Sequence, residues 1–400
     1  MSYIFKYISF IIIILLCLGC SGGRGQVQEI KNDEVNDIVL QDNTITYINL
    51  ADSILACLTL EERIGQCFMP ALNTVSDSQN IKVFKKYIDD LHVGGVVLFA
   101  GDLNSLLELR KVGTERKVPL FFSIDAEWGL GMRLSDAPVF PKNGNINKET
   151  EETVMFDYGR EVARESRIFG INMILGPVVD INIIPGSEIG RRSFGNDAYR
   201  VANLAVSYAK GLESGGVISV AKHFPGHGAA QGNSHVGKSI NFRSITEIDS
   251  VELLPFREYI NSGLSGIMAS HIQVPSISNE MLPSSVSYDI LSVLLRDEMG
   301  FQGLIITDAF NMAGVKGYEG WEALQAGIDI VICPNDVERE INKLMDKIEA
   351  GKFDSRIIDE RCRRILFYKA LFGLWEREGY INNQDSIFNK DIENIKERLL

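Results

Sequence analysis

A chain of 400 residues that is 45% hydrophobic and 23% charged has the make-up of a globular protein able to bury a large core. Its 40 basic against 53 acidic side chains leave a formal charge of −13, and no stretch reads as a basic patch, so nucleic acid is not an expected partner. The cysteines at 57, 67, 333 and 362 show no CxxC spacing and read as core residues, which argues against a disulfide scaffold.

The first elements in chain order are processing signals. Residues 3–18 carry one lysine among aromatic and apolar side chains, and the apolar run from Ile8 to Leu18 is too short for a permanent span, which takes roughly 20 residues. Residues 1–19 therefore read as a signal peptide. The triplet Leu18-Gly19-Cys20 resembles the bacterial lipoprotein box, with Cys17 an uncommon residue at the third position before Cys20. That resemblance implies a lipid on Cys20 that tethers the mature chain to a membrane of the cell envelope, on its periplasmic or outer face. Residues 20–48, opening with the flexible Ser21-Gly22-Gly23, read as a tether with poor order up to about Thr46.

From residue 52 onward, amphipathic helical patterns alternate with short apolar runs, the mark of βα units on a parallel sheet. The expected strands are Gln66–Leu72, Gly94–Phe99, Leu120–Ile124, Asn172–Val179, Val217–Ala221, Gly266–Ala269, Gly303–Thr307 and Asp329–Cys333. Helices are expected between them, for example Thr150–Phe169, Ala202–Glu213 and Asp289–Met299, and after them at Val337–Ala350 and Ser355–Phe372. Eight strands in this length favour an α/β fold of the (β/α)8 TIM-like barrel type, a single domain over residues 49–375, followed by a polar helical tail at 376–400.

Polar chemistry clusters where these strands end, and in parallel α/β folds the C-terminal strand ends carry the ligand. Asp125 and Glu127 follow the third strand with Arg133 close behind, Asp180 and Asn182 follow the fourth, and Arg192 lies on the loop after it. Lys222-His223 ends the fifth, Ser270-His271 the sixth and Thr307-Asp308 the seventh. Three of the five histidines, His223, His227 and His235, fall within thirteen residues. A zinc site would have fixed ligand spacing that is missing here, so neither metal nor other cofactor is expected. A rim of Asp, Arg, Lys and His suits a polyhydroxylated ligand, since sugar hydroxyls both donate and accept. With no phosphate-loop or dinucleotide fingerprint, the reaction that fits is glycoside hydrolysis.

Four segments carry a resemblance: Ile124-Asp125-Ala126-Glu127-Trp128-Gly129, Gly190-Arg191-Arg192-Ser193-Phe194-Gly195, Lys222-His223-Phe224-Pro225-Gly226-His227-Gly228 and Ile306-Thr307-Asp308-Ala309-Phe310-Asn311-Met312. In order and content they resemble glycoside hydrolase family 3, and within it the single-domain bacterial β-N-acetylhexosaminidases, over about residues 53–372. The resemblance implies Asp308 as the nucleophile of a retaining reaction and His235 as an acid/base histidine on a mobile loop. It further implies that Asp125, Arg133, Arg192, Lys222 and His223 bind the sugar of a carbohydrate substrate, with Asp180 and His271 either shaping the pocket or contacting the sugar directly. The chain departs from the family at Asn233, where an Asp two residues before the histidine is usual, and at Ala229-Ala230 in place of Asp-Thr. An Asp there would favour the imidazolium; Asn supplies no charge. Two alternatives remain at this point: another β-glycosidase such as a β-glucosidase, and a carbohydrate-binding lipoprotein weakened in catalysis.

Overall fold

The computed structural model describes residues 32–113, 116–376 and 387–400, with side chains from residue 44. The expected signal peptide and Cys20 lie outside the described residues, and a helix over Asn32–Cys57 begins inside the expected tether and runs past its end at 48. The folded unit treated below is Thr46–Leu400.

The strands are β1 (Phe68–Met69), β2 (Ala71–Thr74), β3 (Gly95–Gly101), β4 (Phe121–Ile124), β5 (Met173–Ile174), β6 (Ile218–Phe224), β7 (Gln231–Gly232), β8 (Ser239–Ile240), β9 (Gly266–Ala269), β10 (Leu304–Thr307) and β11 (Val331–Ile332). Seven form one parallel sheet in the order β10-β9-β6-β5-β4-β3-β2. β4, β6, β9 and β10 are buried along their whole length, so apart from Ser123, Ser219, Thr307 and the Lys222-His223 pair they read in sequence as apolar runs rather than alternating ones.

The expectation of a closed eight-stranded barrel needs correction. The regular ladder has seven strands and is open between β10 and β2; β1 and β11 pair with each other as a separate parallel ribbon. A few backbone hydrogen bonds join that ribbon to its neighbours, Thr307 N–H to Ile330 O at 3.0 Å and Phe310 N–H to Ile332 O at 2.9 Å on one side, Gly94 N–H to Phe68 O at 3.1 Å and Val97 N–H to Pro70 O at 2.9 Å on the other. Pro70 divides the expected strand Gln66–Leu72 into β1 and β2, because it brings no N–H to a ladder. On the other side, Asp329 turns its carboxylate onto the strand backbone, accepting from Ile305 N–H at 2.8 Å and from Arg296 at 2.6 Å. The architecture is thus TIM-barrel-like with an irregular seam.

The helices lie between strands as the alternating pattern implies, at Glu152–Ile168, Ala198–Ser214 and Leu253–Asn261 among others. Ala198–Ser214 starts where Asp197 accepts from Arg200 N–H at 2.8 Å, and it buries Val201, Leu204, Ala205, Tyr208 and Leu212, one helical face. A helix over Lys390–Leu399 buries Ile392, Ile395 and Leu399. Of the four cysteines expected in the core, Cys67, Cys333 and Cys362 are buried and Cys57, at the end of its helix, is exposed.

Candidate active site

β6 is central to the sheet and carries Lys222 and His223 next to each other. Neighbouring strand residues ordinarily point to opposite faces. Here the pairing to β9 shifts register between Lys222 and Phe224, a bulge that lets both side chains serve one rim. The loop that follows is shaped by glycine: Gly226 has φ +128°, and a Cβ on Gly228 would sit 1.7 Å from the Ile181 carbonyl.

Lys222 is buried and bridges two carboxylates from the β4 end, Asp125 Oδ1 at 2.7 Å and Glu127 Oε1 at 2.8 Å. Arg133 holds the other oxygen of Asp125, and Arg192 grips Glu127 with Nε at 3.0 Å and Nη2 at 2.8 Å. Burial alone would push these carboxylates up and the ammonium down. The opposite charges win, so Asp125 and Glu127 are held below the usual carboxylate range and Lys222 above its own.

A second chain of contacts runs from Arg192 Nη2 to His223 Nε2 at 3.1 Å and from His223 Nδ1 to Asp180 Oδ2 at 2.6 Å. A guanidinium only donates, so Nε2 accepts and Nδ1 carries the proton toward Asp180. Asp180 is buried and also accepts from the main-chain N–H of His223 at 3.0 Å and of His227 at 2.6 Å. Burial pushes its carboxyl up, but His223 and His227 bring it below the ordinary value. Asp180 reaches this position because the backbone beyond β5 stays beside β6 by single bonds, Lys222 N–H to Pro177 O and Val179 N–H to Lys222 O. Asn182 ties its own loop to the Arg192 loop through its main chain, N–H to Gly195 O at 2.9 Å.

Asp308 stands at the end of β10, its N–H donating to Ala269 O at 2.8 Å and its Oδ1 accepting from Ala309 N–H at 2.7 Å. Burial opposes its ionisation; the imidazoles of His223 and His271, the Ala309 N–H and Lys222 outweigh it and bring the carboxyl to about 2. It is a carboxylate at any physiological pH. His271 is buried, with Nδ1 2.7 Å from Ser285 Oγ and Nε2 donating to Ala309 O at 3.1 Å, so it braces the turn that carries Asp308. Burial pushes its pKa down.

His235 lies on the tip of the β7–β8 hairpin with its side chain 57% exposed, apart from the Lys222 network. Ser234, beside it, anchors the tip: its carbonyl accepts from Gly314 N–H at 2.8 Å, on the loop after Asp308, and its Oγ lies 3.2 Å from His227 Nε2. The His235 ring meets Glu188, Nε2 to Oε1 at 2.7 Å. Each clustered histidine is therefore committed to a different oxygen: His223 to Asp180, His227 to Ser234, His235 to Glu188.

Of the residues singled out in the sequence, Asp125, Arg133, Arg192, Lys222 and His223 form one network, Glu127 and Asp180 are its buried anchors, and Asp308 lies within its electrostatic reach. Glu188 has no part in the sequence reading. The signal that could have raised it is the missing carboxylate at 233, which asks for one from another loop without saying which.

A parallel barrel-like α/β fold with carboxylates and fixed cations gathered at its strand ends is the arrangement of an enzyme whose site lies at the C-terminal face of the sheet. Residues 59–367 match the model of the glycosyl hydrolase family 3 N terminal domain, and the chain belongs to that family of glycoside hydrolases. It is similar to a beta-hexosaminidase of Nitrosomonas eutropha, 35% identical over 321 residues that cover 76% of this chain and 91% of the relative. A beta-hexosaminidase of Nitrosospira multiformis is 33% identical over 286 residues, 67% of this chain and 81% of the relative. A solved family 3 beta-N-acetylglucosaminidase from a Paenibacillus species superimposes with TM-score 0.78 at 29% identity, covering 86% of this chain and 68% of that one.

Proposed function

We propose that this chain is a retaining β-N-acetylhexosaminidase that releases terminal β-linked N-acetylhexosamine, N-acetylglucosamine above all, from oligosaccharides or cell-wall fragments. The observation that carries the reading is Asp308, a carboxylate at the end of β10 with its ionised form secured and one oxygen already engaged by Ala309 N–H. The other oxygen, Oδ2, attacks the anomeric carbon as the bond to the aglycone oxygen breaks, giving a glycosyl-enzyme ester. His235 protonates the departing oxygen, then takes a proton from the water that cleaves the ester, so two inversions give net retention. Asp125, Arg133, Arg192, Lys222 and His223 bind the sugar hydroxyls, their mutual ion pairs keeping the donors and acceptors fixed before substrate arrives.

The names of the similar proteins support hexosaminide over glucoside. Comparing kcat/KM on a chromogenic β-N-acetylglucosaminide and the matching β-glucoside tests the substrate, and preference for the glucoside overturns it. Incubation with a fluorinated sugar that stalls on the nucleophile tests the mechanism. The expected result is a covalent label on Asp308 by peptide mass spectrometry; turnover with a label on another residue, or with none, refutes it. On the sequence of residues 1–20 we further propose that Cys20 anchors the enzyme to an envelope membrane through a lipid.

A further inference from the structure

Asn233 occupies the place of the expected carboxylate partner of His235, yet its side chain serves the backbone. Its Oδ1 accepts from the His235 main-chain N–H at 2.8 Å, and its carbonyl accepts from Val236 and Gly237 N–H at 3.1 and 3.0 Å. This Asx turn shapes the tip of the hairpin and leaves the ring free to find a partner elsewhere. That partner is Glu188, on the loop between β5 and β6, with Oε1 2.7 Å from His235 Nε2. The side chain of Glu188 is only 15% exposed, and its second oxygen is buried with no hydrogen-bond partner among the described residues. Among the described residues the ring is thus the one hydrogen-bonding contact of this carboxylate.

Resting on His235 as the acid/base, we propose that Glu188 is its positioning residue, a carboxylate supplied across the cleft from a second loop in place of one at position 233. With Nε2 committed to Glu188, Nδ1 is the nitrogen left for the proton transfer. The contact draws an exposed side chain into one orientation. The acid/base unit then spans two loops, the β7–β8 hairpin and the loop that also carries Arg192, so that it is complete only when the two are together.

The test compares aryl glycosides bearing good and poor leaving groups. His235→Ala is expected to lose about 10³-fold in kcat/KM on poor leaving groups and little on activated ones. Glu188→Gln, which keeps shape and removes charge, is expected to show the same selectivity at about 10- to 10²-fold, in kcat and not in KM, because Glu188 does not touch the sugar. Glu188→Asp should restore most of it, and Glu188→Gln should add little in the His235→Ala background. A Glu188→Gln enzyme that matches wild type on poor leaving groups, while His235→Ala does not, overturns the positioning role and spares the acid/base assignment. So does a full Glu188→Gln loss persisting in the His235→Ala background, which makes Glu188 an independent acid. Equal loss on both leaving groups in His235→Ala sinks the assignment of the histidine itself.

Discussion

Replacing Asp180 by Asn probes whether the site and the fold share one support. The carboxylate accepts three hydrogen bonds, from His223 N–H, His223 Nδ1 and His227 N–H. An amide has one oxygen to offer. Turned to keep both His223 bonds, it sets its own NH2 against the His227 N–H at the position where a 2.6 Å bond was made. A buried donor left unpaired costs about 1–3 kcal/mol, and two bonds weakened from charged to neutral cost roughly 1 kcal/mol each, a total of about 3–5 kcal/mol. With about 2.1 cal/mol/K per residue of unfolding entropy over the unit Thr46–Leu400, this amounts to a fall in Tm of about 4–7 °C, read by calorimetry near pH 7. With its bond to position 180 weakened, the His223 ring presents Nε2 less firmly to Arg192, and kcat/KM should fall by up to about 10²-fold. The deficit has a definite pH dependence. Because Asp180 is depressed in the folded state, its contribution is present above the ordinary aspartate value of 3.8 and lost as pH falls through the folded pKa. Wild type and variant should therefore converge in acid. Equal Tm at pH 7 with unchanged kcat/KM would show that the Asp180 contacts support neither stability nor the site.

Asp308→Asn should keep the fold, since the amide oxygen can still accept from Ala309 N–H, and lose several orders of magnitude in turnover; near-normal hydrolysis sinks the nucleophile assignment. Glu165 is buried, both its oxygens lack a hydrogen-bond partner among the described residues, and burial followed by the nearby Glu161 raises it to about 9. Its raised pKa makes wild type lose stability as pH climbs from 4.5 toward 9, by about 3 kcal/mol at pH 7; Glu165→Gln should flatten that decline in chemical denaturation, and parallel curves refute it. Cys20→Ser should move the enzyme from the membrane fraction to the soluble fraction, and an unmodified N-terminus well beyond Cys20 in soluble wild type defeats the anchor.

The strands and their ends were legible in the amino-acid order because they rest on local properties. Gly216–Ala221 is apolar apart from Ser219 and lacks the alternation of a half-exposed strand, as suits a strand buried on both faces, and Lys222-His223 follows it directly. The same holds at Phe121–Ile124 before Asp125 and at Leu304–Thr307 before Asp308, so the sequence by itself determined the parallel architecture and which charged residues stand on its rim. It also carried the departure at Asn233. What it did not determine was the seam: Pro70 and Asp329 each break a ladder that apolar periodicity alone counts as intact. Nor did it determine partners. Lys222 meets Asp125 across 97 positions, Arg192 meets Glu127 across 65, and His223 meets Asp180 across 43. Glu188 meets the ring of His235 while Asn233, two residues away, does not. Burial leaves a repeating trace along the chain because each residue meets the same face of its own element. A contact between loop ends leaves none, since it depends on how far several strands lie apart and how each loop turns, and only the assembled tertiary structure sets those distances.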